Sequence, residues 1–176
     1  MSQARAYRVG VFDTSTWNAT GATVTTTSTT APTPILTAAT PATGTADISR
    51  IGISCLGASS FPSNASFTAI LAIFTGTVSG GNAATPEPTG AVTLAANTTF
   101  LTAGGASAAA ISVASLALTQ VLWTQSFPFT AGANWAEWVT PGLELHVPIS
   151  AKFGLFLTES SAGSGTTFGG ELNFTE

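Results

Sequence analysis

Charge is what this chain has least of. Asp, Glu, Lys and Arg together make up 7% of its 176 residues, against roughly a quarter in ordinary soluble domains. Arg5, Arg8, Arg50 and Lys152 are the whole basic complement, and the formal net charge is −4. Neutralising a phosphate backbone takes several Lys or Arg on one face, so no nucleic-acid partner is expected. A single cysteine, Cys55, excludes an intrachain disulfide and a cysteine-built zinc site. It lies in the apolar run IGISCLG and is expected there as a buried small hydrophobe. No uninterrupted apolar run approaches the roughly 18 residues of a membrane span. No apolar h-region follows the two Arg of MSQARAYRVG. Neither a membrane partner nor a secretory signal is expected.

Thr, Ser, Gly and Asn stand where Lys and Glu would normally cover a surface, and the 44% hydrophobic fraction comes largely from Ala. A monomer with so few charges has little electrostatic protection against association. Two readings follow. Either the protein works assembled, its neutral surface covered by copies or partners, or it is an exported Thr-rich β-protein kept soluble by hydroxyl groups.

The length suits one domain with a sizeable core. Residues 1–18 differ from the rest in carrying Arg5, Arg8, Tyr7, Phe12 and Trp17, and Tyr7, Val9 and Val11 alternate. They read as an extended arm or as an edge strand of a domain spanning 19–176. Residues 19–45 are Thr-rich, with Pro32, Pro34 and Pro41, and read as a strand plus a connecting loop. Residues 47–55 alternate, and SFTAILAIFTGTV (66–78) has the density of a strand buried on both faces. A turn between these two runs makes antiparallel pairing of one with the other the simplest topology. SGGNAATPEPTGA (79–91) reads as a loop. The Ala-rich segment 104–118 has helical propensity, but its alternation from Ile111 favours a strand. Phe153, Leu155 and Leu157, then Phe168, Leu172 and Phe174, fall at even spacing, as strands require. The expectation is an all-β antiparallel sandwich or jelly roll of roughly eight to ten strands.

Chemistry is sought first in Leu122–Ile149, which holds Trp123, Trp135, Trp138 and the only histidine, His146. A catalytic triad needs a nucleophile beside an oriented imidazole, and no G-x-S-x-G elbow occurs. His146 therefore reads as a surface or hydrogen-bonded residue. Glu137 and Glu144 flank Thr140-Pro141-Gly142, and a hairpin there would bring two carboxylates near each other, as glycoside hydrolysis requires. The simpler reading is two solvated acids beside a turn. The remaining acids do not cluster as metal ligands, and no phosphate-binding glycine motif is present. No enzyme activity, cofactor or metal is expected. Trp135 and Trp138 could form a sugar-stacking platform, although their odd spacing in a strand would point them to opposite faces. Trp123 and one of that pair are expected in the core, with a cost of about 3–5 kcal/mol for Trp123→Ala.

The run WAEWVTPGLELHVP (135–148), the strand KFGLFL and the closing ELNF (171–174) together resemble small jelly-roll proteins of tailed-bacteriophage virions. The order of an I-x-R-I strand, FTAILAIF and a Gly/Pro loop adds to the likeness, which spans roughly residues 46–175. The type it resembles is the capsid cement, or decoration, protein. The resemblance implies a non-enzymatic homotrimer on the capsid exterior, gripping the major capsid protein. It carries no catalytic residues over. Arg5, Tyr7, Arg8, Phe12 and Trp17 would then be a capsid-binding clamp, removable without unfolding the β-domain. A head–tail, fibre or spike component is the rival within the virion, and a carbohydrate-binding module or adhesin is the rival outside it.

Overall fold

The computed structural model describes residues 6–10, 22–23, 32–57, 66–88, 96–102, 111–128, 133–159 and 167–176. In chain order the strands begin with β1 (Ala6–Gly10), β2 (Ala22–Thr23), β3 (Thr33–Ala39) and β4 (Ala46–Gly57). There follow β5 (Ser66–Gly80), β6 (Asn82–Ala84), β7 (Glu87–Pro88), β8 (Thr99–Thr102) and β9 (Ile111–Pro128). The last four are β10 (Ala133–Trp138), β11 (Leu145–Val147), β12 (Lys152–Glu159) and β13 (Thr167–Thr175). No helix occurs among the described residues. The strands form two antiparallel sheets packed as a β-sandwich. Sheet A runs β10-β4-β13-β1-β7, with β11 also on β4 and β2 on β13; sheet B runs β6-β8-β3-β12-β5-β9.

Alternation decides what enters the core. Phe153, Leu155 and Leu157 of β12 and Phe168, Leu172 and Phe174 of β13 are all essentially inaccessible to solvent. They face each other across the sandwich with Ile35, Leu36, Phe67, Leu71 and Tyr7. In β4 the register slips between Asn173 and Phe174 of its partner, pairing Arg50 with the first and Ile48 with the second. Ser49 is thus the extra residue of a bulge, and Ile48 and Ile51 both turn inward although their spacing is odd. The backbone of Cys55 pairs in this strand, while its side chain lies outside the described residues, as do Val11 and residues 104–110 of the Ala-rich segment.

The sandwich departs from the expected chain path in three places. First, β4 and β5 do not pair. β4 bonds to β13, β10 and β11 in one sheet, and β5 to β12 and β9 in the other. β4 is rich in Ile and β5 in Ile, Leu and Phe, and opposite sheets let each bury its apolar face against the other layer. Second, the segment expected as a loop contains β6 and β7. Gly80 and Gly81 have φ of +72° and +76°, a backbone that glycine adopts without steric cost. Through Gly81 alone the chain passes from β5, beside one edge of sheet B, to β6, on its other edge. Four strand spacings of about 4.8 Å exceed what one residue spans, so either the sheet curls here or β5 bends across it beyond Phe74, where its β12 ladder ends. Accordingly β3 and β9 approach each other without being neighbours. Third, Pro34 lies within β3. The β8 ladder covers only Leu36–Ala39, and the β12 register slips at Ile35. The missing N–H of proline therefore interrupts no ladder bond on the β8 side.

Sheet B also carries apolar residues on its outer face. Ala72, Phe74 and Phe156 are buried there against Ile70, Leu116 and Leu118. This is why 66–74 reads as continuously hydrophobic: β5 buries side chains on both sides of the sheet.

At the end of β3, Thr40 is 6% exposed and its hydroxyl closes the approach to β12. It donates to the Pro148 carbonyl at 2.7 Å and accepts from the Ala151 N–H at 3.0 Å. Thr40→Val would leave both groups without that partner at little change in volume. The expected loss is about 1–3 kcal/mol, read as a lower urea midpoint at constant m-value, with Thr40→Ser recovering most of it.

Candidate functional site

The stretch Leu122–Ile149 folds into the second half of β9, the whole of β10 and β11, and the turn between the last two. β9 and β10 are the edge strands of the two sheets on the same side of the sandwich. Odd-numbered residues at the facing ends of the two strands turn toward the gap between the sheets. Trp123, Gln125 and Phe127 come from β9, and Trp135 and Glu137 from β10. With Ile51 and Ile53 of β4 beneath them, they line a cleft of about 370 Å³.

The geometry of this cleft is set by ring packing. Trp135 lies 4.7 Å from Phe127 and meets Phe67 edge-on at 5.4 Å, centroid to centroid. Phe67 in turn meets Phe168 of the opposite sheet at 4.8 Å. Trp123 is 6.4 Å from Phe127 and donates its indole N–H to Glu137 Oε2 at 2.7 Å. Trp123 and Trp135 are both partly exposed and border the core. The core position expected for Trp123 is thus corrected. Its strand is the last of sheet B, so one side of the ring has no further layer to pack against.

Trp135 and Trp138 do not share a platform. Trp135 faces the cleft, whereas Trp138 projects from the outer face of sheet A and is 67% exposed. The Arg50 guanidinium sits 5.1 Å from the Trp138 ring centroid and pairs with Glu171 on the neighbouring strand. Strand alternation, with no bulge in the β10–β4 register, is the reason.

Thr140-Pro141-Gly142-Leu143 is a tight turn closed by Leu143 N–H to Thr140 O at 2.8 Å. Pro141 occupies the position that favours φ near −65°, and Gly142 the one at φ +85°, the pattern of a type II turn. It does not fold β10 back on β11. Both strands pair with β4, one along Arg50–Cys55 and the other along Ala46–Ile48, so the turn is an excursion within one line of pairing. Glu137 and Glu144 are consequently not a facing pair. Glu144 accepts from the Gly142 N–H through both oxygens, at 3.0 and 2.9 Å. That bond, with a smaller contribution from its own backbone N–H, holds its carboxyl below the ordinary value. His146 lies with Nδ1 2.6 Å from Asp47 Oδ1 in an exposed pair on β11 and β4.

The N-terminal clamp residues divide. Tyr7 has no exposed surface and stacks on Phe174 at 5.4 Å. Arg8 pairs with Glu87 at 2.9 Å on the outer face of sheet A. Arg5, Phe12 and Trp17 lie outside the described residues. β1 is bonded to β13 along its whole length, so residues 6–10 belong to the sandwich.

No family model matches the chain, and no curated protein or solved structure matches it.

The sequence marks this stretch by its aromatic density but does not mark Gln125 and Phe127 as partners of the tryptophans. The signal was present as two odd-residue rows, Trp123-Gln125-Phe127 and Trp135-Glu137, separated by the short segment 129–132. Connecting one sheet edge to the other brings such rows face to face.

Proposed function

We propose that this protein is a structural, non-enzymatic component that works assembled: a cement or decoration protein of a tailed-bacteriophage capsid. The observation that carries the reading is β9. It is an 18-residue strand at the edge of sheet B, ISVASLALTQVLWTQSFP, with no charged residue in it. Edge strands of soluble monomers are normally blunted by shortness, charge or proline. The other edges follow that rule. β6 is three residues long, β7 is Glu87-Pro88 with Glu87 paired to Arg8, and β10 carries Glu137. β9 runs about 60 Å at 3.4 Å per residue and carries only a terminal Pro128. Register slips and the left-handed Ser115 at φ +57° bend it, but they add no charge. Val121 is 52% exposed on it.

Such an edge is suited to bonding with another chain by strand addition. A shell protein repeats weak contacts over a lattice, where they add through multivalency, and a low-charge surface is tolerated because it becomes covered. The partners in this reading are further copies of the chain, as a homotrimer, and the major capsid protein on the capsid exterior.

The test combines solution mass with addition to undecorated capsids. The wild type should run as a trimer and raise the temperature at which the capsids disrupt. Val121→Lys should weaken self-association or attachment while shifting stability by no more than about 0.5 kcal/mol, as an exposed substitution does. A monomer that leaves capsids unaltered would overturn the proposal.

A further inference from the structure

The β9–β10 cleft combines features that the assembly role does not use. Its floor is apolar, formed by Ile51, Ile53 and Phe127, and two indoles stand along it. Its rim is polar. One Glu137 oxygen is held by Trp123, which orients the carboxylate, and a carboxylate offers about four acceptor sites. Gln125 is exposed beside it and supplies two donors and an acceptor.

We infer that this cleft binds a neutral saccharide, its C–H face packed on the Trp123 and Trp135 side chains and its hydroxyls bonded to Glu137 and Gln125. A sugar ring is itself two-sided, with apolar C–H faces and hydroxyls that both donate and accept. A wholly apolar ligand would cover Glu137 and Gln125 without satisfying them. An anionic ligand would meet the Glu137 charge with no Lys or Arg among the described lining residues. The volume lies at the small end of the range for ligand sites, suited to one or two sugar units. The Trp123–Glu137 bond fixes one polar contact before the ligand arrives, which lowers the ordering cost of binding.

The inference is independent of the capsid reading, because it is measured on the purified protein alone. The experiment titrates neutral mono- and disaccharides (glucose, galactose, mannose, N-acetylglucosamine, maltose and cellobiose) into the full chain, following tryptophan fluorescence and amide chemical shifts. Saturable binding of at least one of them is expected. Gln125→Ala and Glu137→Ala should each weaken it about tenfold, the loss of a hydrogen bond to a charged or polar group. Trp138→Ala, on the opposite face, should leave it unchanged, and unfolding curves confirm that each variant is folded. Absence of saturable binding across the panel would overturn the inference. So would binding that is abolished by Trp138→Ala, or that is indifferent to both Gln125→Ala and Glu137→Ala.

Discussion

Tyr7→Ala is expected to destabilise the sandwich by about 3–5 kcal/mol, the range for truncating a buried aromatic. Tyr7 is fully buried, stacks on Phe174 of β13 and lies in the same cluster as Phe100 and Phe153 of sheet B. Its removal leaves a cavity at the meeting of three strands, one of them the central partner β13. Native domains are stable by only about 5–15 kcal/mol, so the variant should sit near the folding threshold. Arg8→Ala, on the next residue, is the control. Its ion pair with Glu87 is substantially exposed, with side chains 33% and 47% accessible, and such pairs contribute about 0–1 kcal/mol. Urea unfolding of the two variants separates the explanations. A large loss for Tyr7 and a small one for Arg8 makes β1 a structural strand. Equal, small losses would show that residues 6–10 detach from the sheet, as a free clamp would.

That contrast marks how far the sequence could be read. Alternation identified the inward faces of β12 and β13, because the extra residues of their irregular pairings lie in the partner strands β3 and β4 and leave the alternation of these two strands unbroken. It also assigned 111–118 to a strand against the helical propensity of alanine, since Ile111 and Val113 needed one side of a sheet. Pairing partners were not legible. β4 and β5 look like a hairpin because they are adjacent and similarly hydrophobic, yet nothing local distinguishes bonding to a neighbour from facing it across a core. β6 and β7 were hidden for a different reason. Their hydrogen bonds go to β8 and β1, and the glycines that set the crossover look the same in sequence as glycines in an open loop. For the candidate site, the stretch was legible from its aromatic density. The depth of each ring was not, because it depends on which strands end up at the sheet edges.

Phe67→Ala should cost about 3–5 kcal/mol, whereas Trp123→Ala should cost only about 1–2 kcal/mol, as an ordinary substitution does. The larger side chain thus has the smaller effect. Phe67 has no exposed surface and touches the rings of Phe127, Trp135 and Phe168 at 5.4, 5.4 and 4.8 Å. It contacts rings of both edge strands, Phe127 of β9 and Trp135 of β10, and aromatic pairs of this kind add about 0.5–1.5 kcal/mol each beyond burial. Trp123 is partly exposed, and its indole N–H bond to Glu137 is open to solvent, so water replaces much of what truncation removes. The two variants also differ in what they do to the cleft. Without Phe67 the Trp135 ring loses its edge-on support and is free to drop into the space left, so a ligand site built on Trp135 should be lost together with stability. Trp123→Ala removes one wall and frees the Glu137 carboxylate in a domain that stays folded. Denaturant midpoints and saccharide titrations on the same two proteins test the assignment. Comparable losses of stability would place Trp123 in the core, and the cleft would then be a packing defect between two sheet edges.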